Sequence, residues 1–300
     1  MSVSSNRRIA VAIIALSVSV AAVAVPAYED WSAAVNLETL PGSSADLNTA
    51  SVDGCASLSP DNRQIAFTSN RTGNFDIYIA DLLPSGGFDT AERLPSPING
   101  SSTDSCPTLL EGKRMIFTSF RDDPAGDLYE TRLGPNGWNS PVRFGPNINQ
   151  PNTQEESADV YEDDQGREVM VFSRRPGANS TGKIYESVDG GPATLVTGGP
   201  HSSAGDNRPS VTKDGRTMYF DSTRSGGLGD TDFYVSHRST PFGPWGQAEH
   251  LASLSSPAFD GRPFISKDRL VLVFASGRTG STSPAPDMFI ATRDKVTGQR

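Results

Sequence analysis

The stretch Ser57-Leu-Ser-Pro-Asp-Asn-Arg-Gln-Ile-Ala-Phe-Thr-Ser-Asn-Arg-Thr-Gly-Asn-Phe-Asp-Ile-Tyr78 holds the outline of three strands and two turns. Asp61-Asn62 is a hairpin signal, because both residue types tolerate the positive φ of a tight turn. Gln64-Ile-Ala-Phe67 is a strand-like run, and Asp76-Ile-Tyr-Ile79 opens another after the turn residues around Gly73.

Outward from this stretch the pattern returns. Phe67-Thr-Ser-Asn-Arg71 aligns with Phe117-Thr-Ser-Phe-Arg121, Val171-Phe-Ser-Arg-Arg175, Phe220-Asp-Ser-Thr-Arg224 and Phe274-Ala-Ser-Gly-Arg278. The serines at 69, 119, 173, 222 and 276 step by 50, 54, 49 and 54 residues. A further strand and its turn precede each core run, as in Ser210-Val-Thr-Lys-Asp214-Gly. After each arginine comes another, led by Asp76, Asp127, Lys183, Asp232 or Asp287. Ala91–Leu94, Pro141–Phe144, Ala193–Val196 and Ala248–Leu251 supply a fourth. Four antiparallel strands in each repeat form a β-propeller blade. The fifth repeat stops before its fourth strand, and Trp31-Ser-Ala-Ala-Val-Asn-Leu37 matches Trp138-Asn-Ser-Pro-Val-Arg-Phe144. The expected fold is therefore all-β: a five-bladed propeller over residues 28–300, closed by an N-terminal strand that completes the last blade.

The Ser57–Tyr78 stretch resembles the WD40-like repeat of the TolB-type propellers, the PD40 group. The resemblance covers the mature chain in five copies, of which the third is the most degenerate, without the separate N-terminal domain of TolB. It implies the fold firmly and the function weakly, since such repeats serve binders, scaffolds and enzymes.

Residues 1–27 read as a signal peptide. Arg7-Arg8 is the positive region, Ile9–Val25 the apolar run, and cleavage is expected after Ala27 or Ala24. The protein is expected to be exported, to a periplasm or the exterior, with no membrane insertion after cleavage. Gly and Pro number 29 and 22 among 300 residues, which suits many short strands and turns. A net charge of −9 argues against nucleic acid and anionic membranes as partners.

An acid stands two residues ahead of a repeated axial position in every copy: Asp53, Asp104, Glu155, Asp206 and Asp260. A ring of five carboxylates is a candidate ligand site, or a cradle for an axial Ca²⁺, although no resident cofactor is expected. The repeated arginines and strand-three aspartates are expected to hold each blade together, because they recur where chemistry would be needed once. The axial position itself reads Cys55, Cys106, Ser157, Arg208 and Arg262. Arg208 and Arg262 suit a ligand's carboxylate or sulfate, or else neutralise Asp206 and Asp260. Export permits a Cys55–Cys106 bridge between neighbouring blades, and two buried thiols are the alternative. His201, His237 and His250 are scattered, and none has metal-ligand spacing.

The expected function is ligand or protein binding at the channel mouth by a monomer. A small molecule, a glycan, or an envelope or extracellular protein would be the partner. The rival is a carbohydrate-active enzyme, for five-bladed propellers of the arabinanase and levansucrase type carry carboxylates in a central funnel. A lyase or isomerase holding an acidic substrate on Arg208 and Arg262 is the third reading.

Overall fold

The computed structural model describes residues 28–177 and 180–296, so the expected signal peptide lies outside the described residues. Five antiparallel sheets stand around a common axis. Blade one comprises β2 (Asp53–Leu58), β3 (Gln64–Ser69), β4 (Asp76–Asp81) and β5 (Glu92–Arg93). Blade two has β6 (Asp104–Leu110), β7 (Arg114–Ser119), β8 (Asp127–Gly134) and β10 (Val142–Arg143), with β9 (Gly137–Trp138) folded back on β8. Blade three runs through β11 (Thr153–Glu162), β12 (Glu168–Pro176), β13 (Lys183–Val188) and β14 (Thr194–Leu195). Blade four is β15 (Asp206–Val211), β16 (Thr217–Ser222), β17 (Asp232–His237) and β18 (Glu249–His250). In blade five, β19 (Asp260–Ile265), β20 (Val271–Ser276) and β21 (Asp287–Thr292) are completed by β1 (Val35–Asn36).

Val35 pairs with Ile290 and Asn36 with Phe289, so the N-terminal segment closes the ring. Around that strap the Arg293 guanidinium lies 4.2 Å from the Tyr28 ring centroid and 4.3 Å from that of Trp31. The cation thus ties the segment leading into β1 to the residue just after β21.

Five apolar clusters fill the five gaps between neighbouring blades. Period-two alternation explains the division, because successive side chains of a strand point to opposite sheet faces. Ile65 and Phe67 of β3 pack toward blade five, while Ala66 between them packs toward blade two. With both faces covered, the second strands are buried almost throughout. Asparagines add polar stitching that the strand pattern does not reveal. Asn99 accepts from Ile77 N and donates to the carbonyls of Ile77 and Leu94, and Asn149 does the same around Leu128.

A bulge recurs in every first strand. The ladder to the second strand breaks between Gly54 and Ser57, Ser105 and Thr108, Glu156 and Asp159, Asn207 and Ser210, and Gly261 and Phe264. At its centre Cys55, Cys106, Ser157, Arg208 and Arg262 take φ values of 51°, 49°, 54°, 48° and 59°. A left-handed residue in a bulge re-aims its side chain, and here all five line the axial channel.

One part of the repeat alignment needs correction. Phe172, not Val171, pairs with the strand-three tyrosine as Phe67 pairs with Tyr78. Arg174 rather than Ser173 therefore takes the place of the serines, and Arg175 is displaced from the repeated arginine position. The alignment by Ser-x-Arg failed because blade three carries its arginine at the serine site itself.

Candidate functional site

The five ring acids are sealed, with exposures of 0–1%. Asp53 meets Arg71 at 2.7 Å, Asp104 Arg121 at 2.8 Å, Glu155 Arg174 at 2.7 Å, Asp206 Arg224 at 2.5 Å and Asp260 Arg278 at 2.6 Å. Each guanidinium also lies over two rings of its own blade, as Arg71 does over Phe67 and Tyr78. The same carboxylates accept nearby N–H and O–H groups, such as Ser119 Oγ at 2.6 Å on Asp104. These pairs hold the blade entrances together, and the acids do not line the axial chamber. Among the described residues no three His, Cys, Asp or Glu side chains converge as metal ligands.

The strand-three aspartates are similarly engaged within their blades. Asp76 takes two bonds from Arg93, and Asp127 pairs with Arg143 at 2.6 Å. Lys183, which replaces aspartate in blade three, turns to the next blade and donates to the carbonyls of Ser202 and Ala204. Blade three's Glu162–Asp164 loop closes its first hairpin, on the face opposite the ring acids, where Asp163 pairs with Arg167. None of the three histidines lines the axial chamber: His201 is exposed, His237 bonds Thr217, and His250 faces Asp232.

What faces the axis is the bulge. Cys55 and Cys106 are joined by a disulfide across blades one and two, and Ser157 Oγ lies 3.5 Å from Cys55 Sγ. Opposite them stand Arg208 and Arg262. Together these five line a chamber of about 30 Å³, with Pro107, Pro209 and Pro263 on the next turn of its wall.

Two carboxylates of the mouth escape a search of the repeats for regularities. Glu156 follows a ring acid, where the other blades have Gly54, Ser105, Asn207 and Gly261. Asp221 occupies the site of Thr68, Thr118, Ser173 and Ala275, where a polar side chain bridges to the next blade. There Thr68 Oγ1 accepts from Cys106 N at 2.8 Å, Ser173 Oγ from Arg208 N at 2.6 Å, and Asp221 from Arg262 N at 2.8 Å. The only signal for either acid was its departure from its own column.

These residues form a chain of charge. Arg175 meets Glu156 at 3.3 Å, Glu156 meets Arg208 at 3.6 Å, and Arg208 meets Asp221 at 3.2 Å. Burial alone would raise Glu156, but Arg208, Arg175 and Arg262 hold its carboxyl below the ordinary glutamate value. Burial pushes Asp221 up despite Arg208. Thus neither expected partner is used: Arg208 and Arg262 form no ion pair with Asp206 or Asp260, whose own arginines already serve them. Arg262 forms no side-chain ion pair or hydrogen bond among the described residues. Burial and the nearby Arg208 charge push it down to about 10. Its Nη1 lies over Gly54, where a Cβ would stand 3.3 Å from it and 2.8 Å from Ala275 Cβ. Gly261 likewise leaves room, since a Cβ there would press on the Phe259 ring and approach Asp221.

These distances bear on chemistry. Glycoside hydrolysis needs two carboxyl groups free to face a substrate. Here the ring acids are enclosed, and Glu156 and Asp221 share one arginine.

Comparison with known proteins agrees on architecture. The fold is that of five-bladed propellers. No protein-family model matches the chain, and no curated protein matches it. Among solved structures it is similar to a thermostable family-43 glycoside hydrolase, at 15% identity and a TM-score of 0.56, covering 86% of this chain and 93% of that one. An α-L-arabinofuranosidase from Lactobacillus brevis follows at 14% and 0.55, covering 88% and 95%. TolB from Acinetobacter baumannii is 18% identical with a TM-score of 0.50, over 89% of this chain. The chain spans 65% of the length of that TolB. At such identities the likeness extends to the fold alone. No helix among the described residues is long and apolar enough to cross a membrane.

Proposed function

We propose that this chain is an exported, TolB-like binding propeller that takes an acidic group of a ligand or protein partner at its channel mouth, without catalysis. One observation carries this: Arg262 is a mouth guanidinium with no side-chain partner among the described residues. A half-buried cation left without an anion is costly, and an incoming carboxylate both relieves that cost and gains a charge-assisted bond. Export is supported by the Arg7-Arg8 and apolar leader pattern and suits the Cys55–Cys106 bridge.

Calorimetric titration in chloride-free buffer tests the reading, with uronic-acid oligosaccharides and peptides ending in a free carboxylate as probes. Binding by one of these classes, weakened at least about tenfold in Arg262→Gln, is the expected result; loss of one charge-assisted bond alone predicts that scale. Hydrolysis of neutral arabino-oligosaccharides, abolished by Asp221→Asn, would overturn it in favour of a glycoside hydrolase.

A further inference from the structure

Beneath the mouth, the axial chamber has an imbalance of its own. Arg208 Nε and Arg262 Nε are both buried without an acceptor, and both arginines line the same space of about 30 Å³. The remaining polar groups of its wall are engaged. Asp159 meets Lys267 at 2.9 Å and accepts from Ser210 Oγ and Val211 N, and Thr108 donates to Ala158 O. Ser157 faces the disulfide. Three guanidiniums, Arg175, Arg208 and Arg262, stand against two carboxylates, Glu156 and Asp221. One positive charge is left over, beside two N–H donors and a small space of about 30 Å³.

A water would satisfy the donors but not the charge. Sulfate, or phosphate as its dianion, brings a second negative charge that the wall does not balance. We infer that the chamber is a site for one halide-sized monovalent anion, held between Arg208 Nε and Arg262 Nε, which an acidic group arriving at the mouth must displace. The anion site rests on the geometry alone. Only the displacement rests on the binding function proposed above, and it makes chloride a competitive regulator of that site.

Two measurements on the mature protein test the site. Crystals grown in sodium bromide are expected to show an anomalous peak within hydrogen-bonding reach of both Nε atoms. In solution, chloride NMR lines are expected to broaden saturably. Arg262→Gln should abolish the broadening, and Arg262→Lys, which keeps the charge but removes Nε, should weaken chloride affinity at least about tenfold. A chamber peak without anomalous signal means a water and overturns the site. Bromide seen only in crystals, or broadening unchanged in both variants, overturns it as well. The competition is read separately: an acidic ligand's apparent Kd should rise in proportion to chloride once the site is saturated. If halide binds and no acidic ligand does, the binding function fails and the anion site stands. If an acidic ligand binds through Arg262 with no halide detected, the reverse holds.

Discussion

Blades three and four close the same gap with different side chains. In blade four, Arg224 reaches back from two residues beyond Ser222, and serine and arginine both bond Asp206. In blade three, Arg174 stands at the serine site, directly across the ladder from Glu155. The longer acid carries the carboxylate to the guanidinium at 2.7 Å. Both arginines nonetheless lie over a Phe and a Tyr: Arg174 at 5.5 and 4.4 Å from the centroids, Arg224 at 5.0 and 4.8 Å. The propeller therefore requires a guanidinium at one point in space, and the chain has two ways of delivering it.

The two solutions are not equal. Asp206 collects Ser202, Ser222 and Arg224, and although burial opposes it, these bonds hold its carboxyl below the ordinary value. Glu155 is left with one oxygen unbonded, and burial pushes its carboxyl up.

Removing the cation should have the largest effect. Arg224→Ser leaves the sealed Asp206 with only Lys183, at 3.6 Å, as a cation and is expected to cost about 3 kcal/mol in urea unfolding near neutral pH. Arg174→Ser should approach that figure near neutral pH but lose less in mild acid, because burial already raises the Glu155 carboxyl and loss of its cation raises it further. Equal losses at both pH values in the two variants would break the contrast. Exchanging the acids comes next: Asp206→Glu overfills a fitted site and should cost about 1–3 kcal/mol, read as a lower urea midpoint. The same substitution tolerated in blade four without loss would mean that the gap is not close-fitting.

The pH dependence of the two acids should have opposite sign. Glu155 is raised, so its contribution is fully present below the ordinary glutamate value and is lost as pH rises through its folded value. Asp206 is lowered, so its contribution is present above the ordinary aspartate value and is lost as pH falls through its folded value. Unfolding curves from about pH 3 to 7 should then show Glu155→Gln gaining on the wild type as pH rises, and Asp206→Asn falling behind. The smallest effect belongs to the mouth. Arg262→Gln removes an unpaired cation and should stabilise the protein by up to about 1 kcal/mol in chloride-free buffer, seen as a higher Tm.

The off-by-one alignment of blade three shows where sequence pattern stops being a guide. Ser173-Arg174-Arg175 offers two arginines, and only the pairing of Phe172 with Tyr185 decides which one meets Glu155. The mouth was partly legible, since Arg208 and Arg262 stand out by breaking their column. Asp221 and Glu156 were hidden because each sits in a different column of the repeat, and nothing in one dimension brings them to the same arginine.

Spacing and hydrophobic alternation by themselves determined five four-stranded blades and the closure by Val35 and Asn36. Those features depend on local strand and turn preferences repeated along the chain. The tertiary structure decided which groups reach the axis. A left-handed residue in each first-strand bulge turns the cysteines, Ser157 and the two arginines inward, while the acid two residues earlier is drawn into its own blade by a guanidinium. An exposed ring of acids would have made a negative funnel. Pairing inside the blades leaves a positive throat instead, because charges shed the cost of burial only against partners that the fold brings within reach.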